Sequence, residues 1–209
     1  MTLPFLRPRR SRAAAVACAV LLAAAVLAGC STPDAPRFHS LLETPRADAA
    51  SAPAGRADGP VIDLAAVSVP TSVEQPQFLL RMPDGSLRVL EQERWVAPVR
   101  DELRAALFDR WAQRLQAVDA RLQPAREAWQ VTVDVQRFES VPGQGVWIEA
   151  DWSVRAAGPR AEARACRSRL HEAATGDVAA LAAAHRRAVA RLADQVAAKM
   201  ASPEAPCPA

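Results

Sequence analysis

The side chains that could do chemistry here are four cysteines, three histidines and a scatter of carboxylates, and their spacing decides what kind. His39, His171 and His185 lie far apart, and none has a second ligand at metal-binding spacing. His171-Glu172 begins like the helical zinc motif, but Thr175 stands where its second histidine must be. Ser86, in Asp-Gly-Ser-Leu, lacks the glycine-flanked elbow that exposes a hydrolase nucleophile. The glycine turn at 143–145 has neither the lysine nor the strand-to-helix switch of a phosphate loop. Asp134, Glu149 and Asp151 fall on the polar side of alternating segments, where a solvated charge is the ordinary outcome. The expectation is a non-enzyme without metal or cofactor.

Cys30 belongs to a different pattern. Residues 1–12 carry four arginines and no acid, and residues 13–28 carry no charge at all. Basic, then apolar, then small is the order of an export signal. The apolar run is shorter than the roughly 18–20 residues that a spanning helix needs. Leu27-Ala28-Gly29-Cys30 resembles the bacterial lipobox. That resemblance implies cleavage after Gly29 and a Cys30 carrying diacylglycerol and an amide-linked acyl chain such as palmitate. At roughly 0.8 kcal/mol per buried methylene, several chains hold a protein at a membrane. Ser31 follows, not the aspartate that retains lipoproteins at the inner membrane of enteric bacteria. The expected location is therefore the periplasmic face of the outer membrane, with the inner membrane as the alternative.

Removing residues 1–29 changes the electrostatics and the cysteine count. The whole chain has 26 basic and 23 acidic residues, and four of the arginines leave with the signal. The processed chain is then nearly neutral, so the pI of about 9.0 gives no argument for nucleic-acid binding. Cys18 leaves too, which puts Cys166 and Cys207 in an oxidising periplasm. They read either as a disulfide tying the PEAPCPA tail to a strand or as two free thiols.

The elements follow from periodicity. Residues 61–70, VIDLAAVSVP, are β-branched and end at Pro70. Residues 77–82 and 87–90 flank Asp84-Gly85 as a hairpin. Pro98 suits a first helical turn, and Val99, Leu103, Leu107, Trp111, Leu115 and Val118 recur at helical spacing up to Pro124. Trp129 to Val135, Ile148 to Val154 and an arginine-dotted stretch from 160 to 170 alternate as a β-meander. Asp177 caps a last helix with the stripe Val178, Leu181, His185, Val189, Leu192, Val196 and Met200, ended by Ser202-Pro203. Residues 43–60 are Ala/Pro/Gly/Asp-rich and read as a flexible loop, with the apolar FHSLL (38–42) before them.

In this order these segments resemble the PqiC family, the ABC-type transport auxiliary lipoproteins. The residues that carry the resemblance are Phe38-His39-Ser40-Leu41, against the family's Tyr-Tyr-x-Leu; Val67-Ser68-Val69-Pro70; Pro76-Gln77-Phe78-Leu79-Leu80-Arg81; and Arg94-Trp95-Val96-Ala97-Pro98-Val99. The resemblance implies an α/β fold of three layers, a mixed sheet flanked by helices and similar to the N-terminal domain of TolB, with a two-layer α+β packing as the alternative. It implies that Phe38, Leu41, Pro70, Arg81, Arg94, Trp95 and Pro98 are structural or interface residues, with Arg94 and Trp95 at the corner that opens the first helix. FHSLL becomes the first strand. The expected organisation is signal 1–29, lipidated tether 30–36, domain 37–202 with the loop 43–60 inside it, and tail 203–209. The implied role is an auxiliary component of an MCE-type lipid transport system between the two membranes. Its partners would be an MCE-domain protein and, through it, an ABC or Pqi-type permease, with homo-oligomers left open. The other reading is a lipoprotein of outer-membrane assembly or of the cell wall, without a transport role.

Overall fold

Alternation of apolar and polar residues along three consecutive strands requires a sheet with one dry face. The computed structural model, which describes residues 35–42, 59–124, 127–158 and 160–208, contains that sheet. The expected signal, lipobox and Cys30, and residues 43–58 of the expected loop, lie outside the described residues. The sheet is built from β2 (Val61–Ser68), β5 (Val118–Asp119), β6 (Trp129–Val141), β7 (Gly145–Arg155) and β8 (Ala163–Glu172), in the order β5-β2-β6-β7-β8. Strands β5, β2 and β6 run parallel, while β6, β7 and β8 form the expected antiparallel meander. Val131, Val133, Ile148, Ala150, Trp152, Val154, Cys166 and Leu170 point to the dry side. A bulge between Val135 and Arg137 restores the phase, so that Phe138 and Ser140 also point inward.

Two helices cover this dry face. α1 (Val99–Leu115) and α2 (Val178–Ala201) pack against each other, α1 over β2 and α2 over β7 and β8. Alanines 182, 184, 188 and 193 are fully buried and let α2 lie close to its neighbours. Trp111 of α1 donates its indole N–H to the Ala193 carbonyl at 2.9 Å, and Arg110 and Arg114 pair with Asp194. Asp177 caps α2 by accepting from the Ala180 N–H. The opposite face of the sheet is polar, because alternating strands dry only one side. Both helices therefore share one face.

The sequence expectation set Val118 on α1, but the helix stops at Leu115. Gln116 turns left-handed at φ 55°, and Val118 pairs with Val61 as the edge of the sheet. Gly59 makes this possible, since a Cβ there would meet the Gln116 carbonyl oxygen at 1.9 Å. Gly145 is similarly obligatory at φ +128°, where a Cβ would lie 2.1 Å from the Glu172 carbonyl oxygen. The third meander strand begins at Ala163, not at 160.

The remaining strands form a second mixed sheet, in the order β1-β4-β3, from β1 (Arg37–His39), β3 (Gln77–Arg81) and β4 (Leu87–Trp95). The α/β class with mixed sheets holds, and the strands divide into two sheets rather than one. β4 runs five residues beyond the expected hairpin arm and pairs antiparallel with β3 and parallel with β1. Arg94 and Trp95 consequently end β4 and do not open the helix, whose N-cap is Pro98. β1, Arg37–His39, covers only Phe38 and His39 of the expected strand, and Leu41 drops into the core beyond it. Residues 36–209 form one compact unit. Among the described residues no helix is long and apolar enough to cross a membrane.

Candidate docking surface

The residues that might have done chemistry are dispersed by the fold. His171 stacks on Trp147 at the end of the meander, 4.4 Å between ring centroids. His185 is fully buried on α2, its Nε2 2.8 Å from the Ser140 hydroxyl. Burial pushes its pKa down to about 3, and its Nδ1 has no hydrogen-bond partner among the described residues. Asp134, Glu149 and Asp151 lie on the polar face of the five-stranded sheet. Asp134 accepts from the Ser68 hydroxyl, and Glu149 pairs with Arg137 and Arg169. Asp151 is forked by Arg167 at 2.6 and 2.7 Å, hydrogen bonds that hold its carboxyl below the usual range. No group of three or more metal-ligating side chains assembles among the described residues.

The family-motif residues do converge, on the small sheet and its junction with the large one. Trp95 stacks on Phe78 at 4.9 Å, and His39 meets both rings edge-on. Beneath them His185 stacks on Phe138 at 4.0 Å and presents its edge to Trp95 and Phe78. This aromatic plug seals the small sheet onto β6 and α2. Alternation about inward His39 and Trp95 puts Phe38 and Arg94 on the outer side, where Phe38 is 60% exposed. Arg94 donates to the Glu91 carbonyl at 3.0 Å.

Two buried glutamates hold β1 in place. Glu93, from β4, receives the Arg37 guanidinium and lies 2.7 Å from His39 Nε2. Glu102, in the first turn of α1, accepts from the Ser40 hydroxyl and from the Leu41 N–H, both at 2.7 Å. Arg186 of α2 donates to the Ser40 carbonyl. Three elements thus clasp five residues. Sequence reasoning missed all three clasping residues. Glu93 stands two before inward Trp95, and Glu102 lies on the buried stripe between Val99 and Leu103, so period alone could have marked both as inward.

Pro70 and Arg81 line a cleft of about 140 Å³ between the Thr71–Val73 turn, the β3–β4 hairpin and β6. Arg81 donates to Glu139 at 2.7 Å, and Arg137 donates to the other carboxylate oxygen at 2.7 Å. Burial alone would raise the Glu139 carboxyl, but these two hydrogen bonds outweigh it and hold the pKa below its usual value. Arg137 also lies over the Trp147 ring, 5.5 Å from its centroid. The cleft is about benzene-sized, well below the several hundred Å³ of a typical ligand pocket. A broader basin of about 550 Å³ lies on the sheet beside Asp134, Asp151 and Arg167. It is open to solvent and lined by a mixture of apolar and charged side chains, not an enclosed cavity.

The tail is tied back beside that basin. Cys166 of β8 and Cys207 are bonded, 5.5 Å between their Cα atoms. Arg164 pairs with Glu204, and the Lys199 ammonium donates to the Ala205 carbonyl. The described residues offer surfaces and a clasped N-terminal strand.

A family model described as the ABC-type transport auxiliary lipoprotein component matches residues 41–197. No curated protein matches the chain significantly. Crystal structures that share its fold include the following two. One, of an uncharacterized protein, superposes with TM-score 0.60 at 15% identity, covering 80% of this chain and 99% of its own. The other, protein XCC0632 from Xanthomonas campestris, assigned to DUF330, superposes with TM-score 0.53 at 20% identity, covering 77% and 91%.

Proposed function

The chain belongs to the family of ABC-type transport auxiliary lipoprotein components, and from that premise we propose that it is a docking subunit of an envelope lipid-transport system, lipidated at Cys30 and working beside an MCE-domain protein. Membership makes it a membrane-associated auxiliary component of ABC-type transport, in a family that is not an enzyme family. The finer reading places it at the periplasmic face of the outer membrane, where it holds the end of an MCE assembly that connects to an inner-membrane permease.

The observation that carries the docking role is the clasp on β1. The expected anchor is joined to the domain through residues 37–41, and Glu93, Glu102 and Arg186 fasten those residues to β4 and to both helices. A domain fastened so soon after its anchor is positioned against a membrane. The cleft and basin support the same reading, since neither encloses a volume that would carry an acyl chain.

Mass spectrometry of the protein from bacterial membranes should find an acylated N-terminal Cys30, and Cys30→Ser should release the chain into the periplasm. Crosslinked envelopes should yield the cognate MCE protein when this protein is captured. Capture of outer-membrane assembly or cell-wall components in its place would replace the transport role with the alternative one.

A further inference from the structure

Among the described residues, the outer face of the small sheet carries apolar side chains that nothing covers. Phe38 is 60% exposed and Val96 61% exposed. Phe38 pairs in register with Arg94, and the Val96 N–H donates to the His39 carbonyl. Alternation from inward Trp95 places Arg94 and Val96 on the same outer side as Phe38. Leu42, 40% exposed, follows just beyond the strand. Arg94 borders the apolar pair on that outer side, while the Arg37 guanidinium pairs with Glu93. Glu93, the nearest acid in register, is turned inward and buried, and Glu91 is the exposed acid of the same strand.

We infer that this face, centred on Phe38 and Val96, rests on the surface of the bilayer that holds the anchor. The inference rests on the lipid-anchor reading of Cys30 and adds a second, non-covalent membrane contact. Two observations select a bilayer as the occupant. Between Cys30 and Phe38 there are seven residues, which span at most roughly 25 Å at about 3.5 Å each, so β1 cannot leave the neighbourhood of the membrane. The bordering charge, Arg94, has the sign that anionic headgroups attract, and an aromatic ring beside an arginine suits the headgroup level. Alone the patch is too small to bind lipid tightly. On a short tether its effective concentration at the surface reaches the millimolar range, and a weak contact becomes a populated one. The contact fixes which side of the domain faces the membrane and turns the polar face of the large sheet away from that role.

The test uses the full lipidated chain, reconstituted into phosphatidylethanolamine/phosphatidylglycerol vesicles with brominated acyl chains. Val96→Cys carries an environment-sensitive fluorophore, and Glu162→Cys carries the same label at the far end of the meander. Flotation of both with the vesicles reports the anchor. The expected result is flotation of both, quenching at position 96 by about twofold or more and none at 162, and loss of that quenching when Phe38→Ser is added. Flotation with equal signals at 96 and 162 would overturn the inference and leave the anchor standing. Failure to float would remove both.

Discussion

The large sheet with its helices and the small three-stranded sheet bury their side chains by different means. The first is dry in the ordinary way: valines, isoleucine and tryptophan on one side of alternating strands meet alanines and leucines of two amphipathic helices. Some of its buried polar groups pair with one another, as where Trp152 donates to Ser168 and Ser168 to Gln195. The small sheet relies on aromatic rings and on two inward glutamates with named partners. A core of aliphatic alternation tolerates local change by repacking, whereas a clasp of buried charge fails when one member is removed. The lesson is that the body sets global stability while the clasp sets whether the N-terminal strand stays docked.

The largest expected effect lies where the two regions meet. His185 is buried and neutral, with a pKa of about 3 against an ordinary value of 6.5. Unfolding therefore takes up a proton between those values. The stability is fully present above pH 6.5 and is lost as pH falls toward 3, on the order of 5 kcal/mol across the window. His185→Gln, which can still bond Ser140, should flatten that slope in urea titrations at successive pH. An unchanged slope would mean the junction admits water. Glu139, Glu172 and Asp194 add acid sensitivity of the same sign, since arginine partners hold each below its ordinary pKa despite burial. Their share is lost only below about pH 4.5, so the difference between wild type and variant isolates the histidine.

Next comes the body itself. Trp111→Ala should cost about 3–5 kcal/mol, measured as a shift of the urea midpoint with all probes moving together. Cys207→Ser removes a link closing 41 residues, with a chain-entropy ceiling of about 4 kcal/mol. Thiol titration of the denatured, unreduced wild type should find neither Cys166 nor Cys207 free. The smallest effect is the most diagnostic. Glu102→Ala leaves the buried Leu41 N–H without its acceptor and should cost about 1–3 kcal/mol. Hydrogen exchange should quicken at residues 39–41 while the amides of β6 and β7 keep their protection. Glu102→Gln, retaining an acceptor, should do less. Loss of protection throughout would erase the distinction between clasp and body.

Much of the body was legible because its information is local. The meander, the Asp84-Gly85 hairpin, the Asp177 cap and the stripe through His185 each follow from the residues of one element, and each stands where period and turn chemistry put it. Val118 was misread because a strand edge and a helix end offer the same apolar residue. The difference lay in Val61, 57 positions earlier, which claims it as a partner. The candidate docking surface was legible only as a list. Phe38, Leu41, Pro70, Arg81, Arg94, Trp95 and Pro98 were marked by resemblance, but not that Leu41 is core, Arg81 an ion-pair partner and Phe38 exposed.

The sequence alone determined the alternation that dries one face of a sheet, the amphipathic stripes that cover it and the lipobox pattern before it, since all are written in short spacings. The tertiary structure decided that the strands split into two sheets, that Glu93 and Glu102 turn inward to hold β1, and that Phe38 turns outward. Those outcomes depend on partners 50 to 150 residues apart, such as Arg186 on Ser40, and no local period encodes which distant group will satisfy a buried charge.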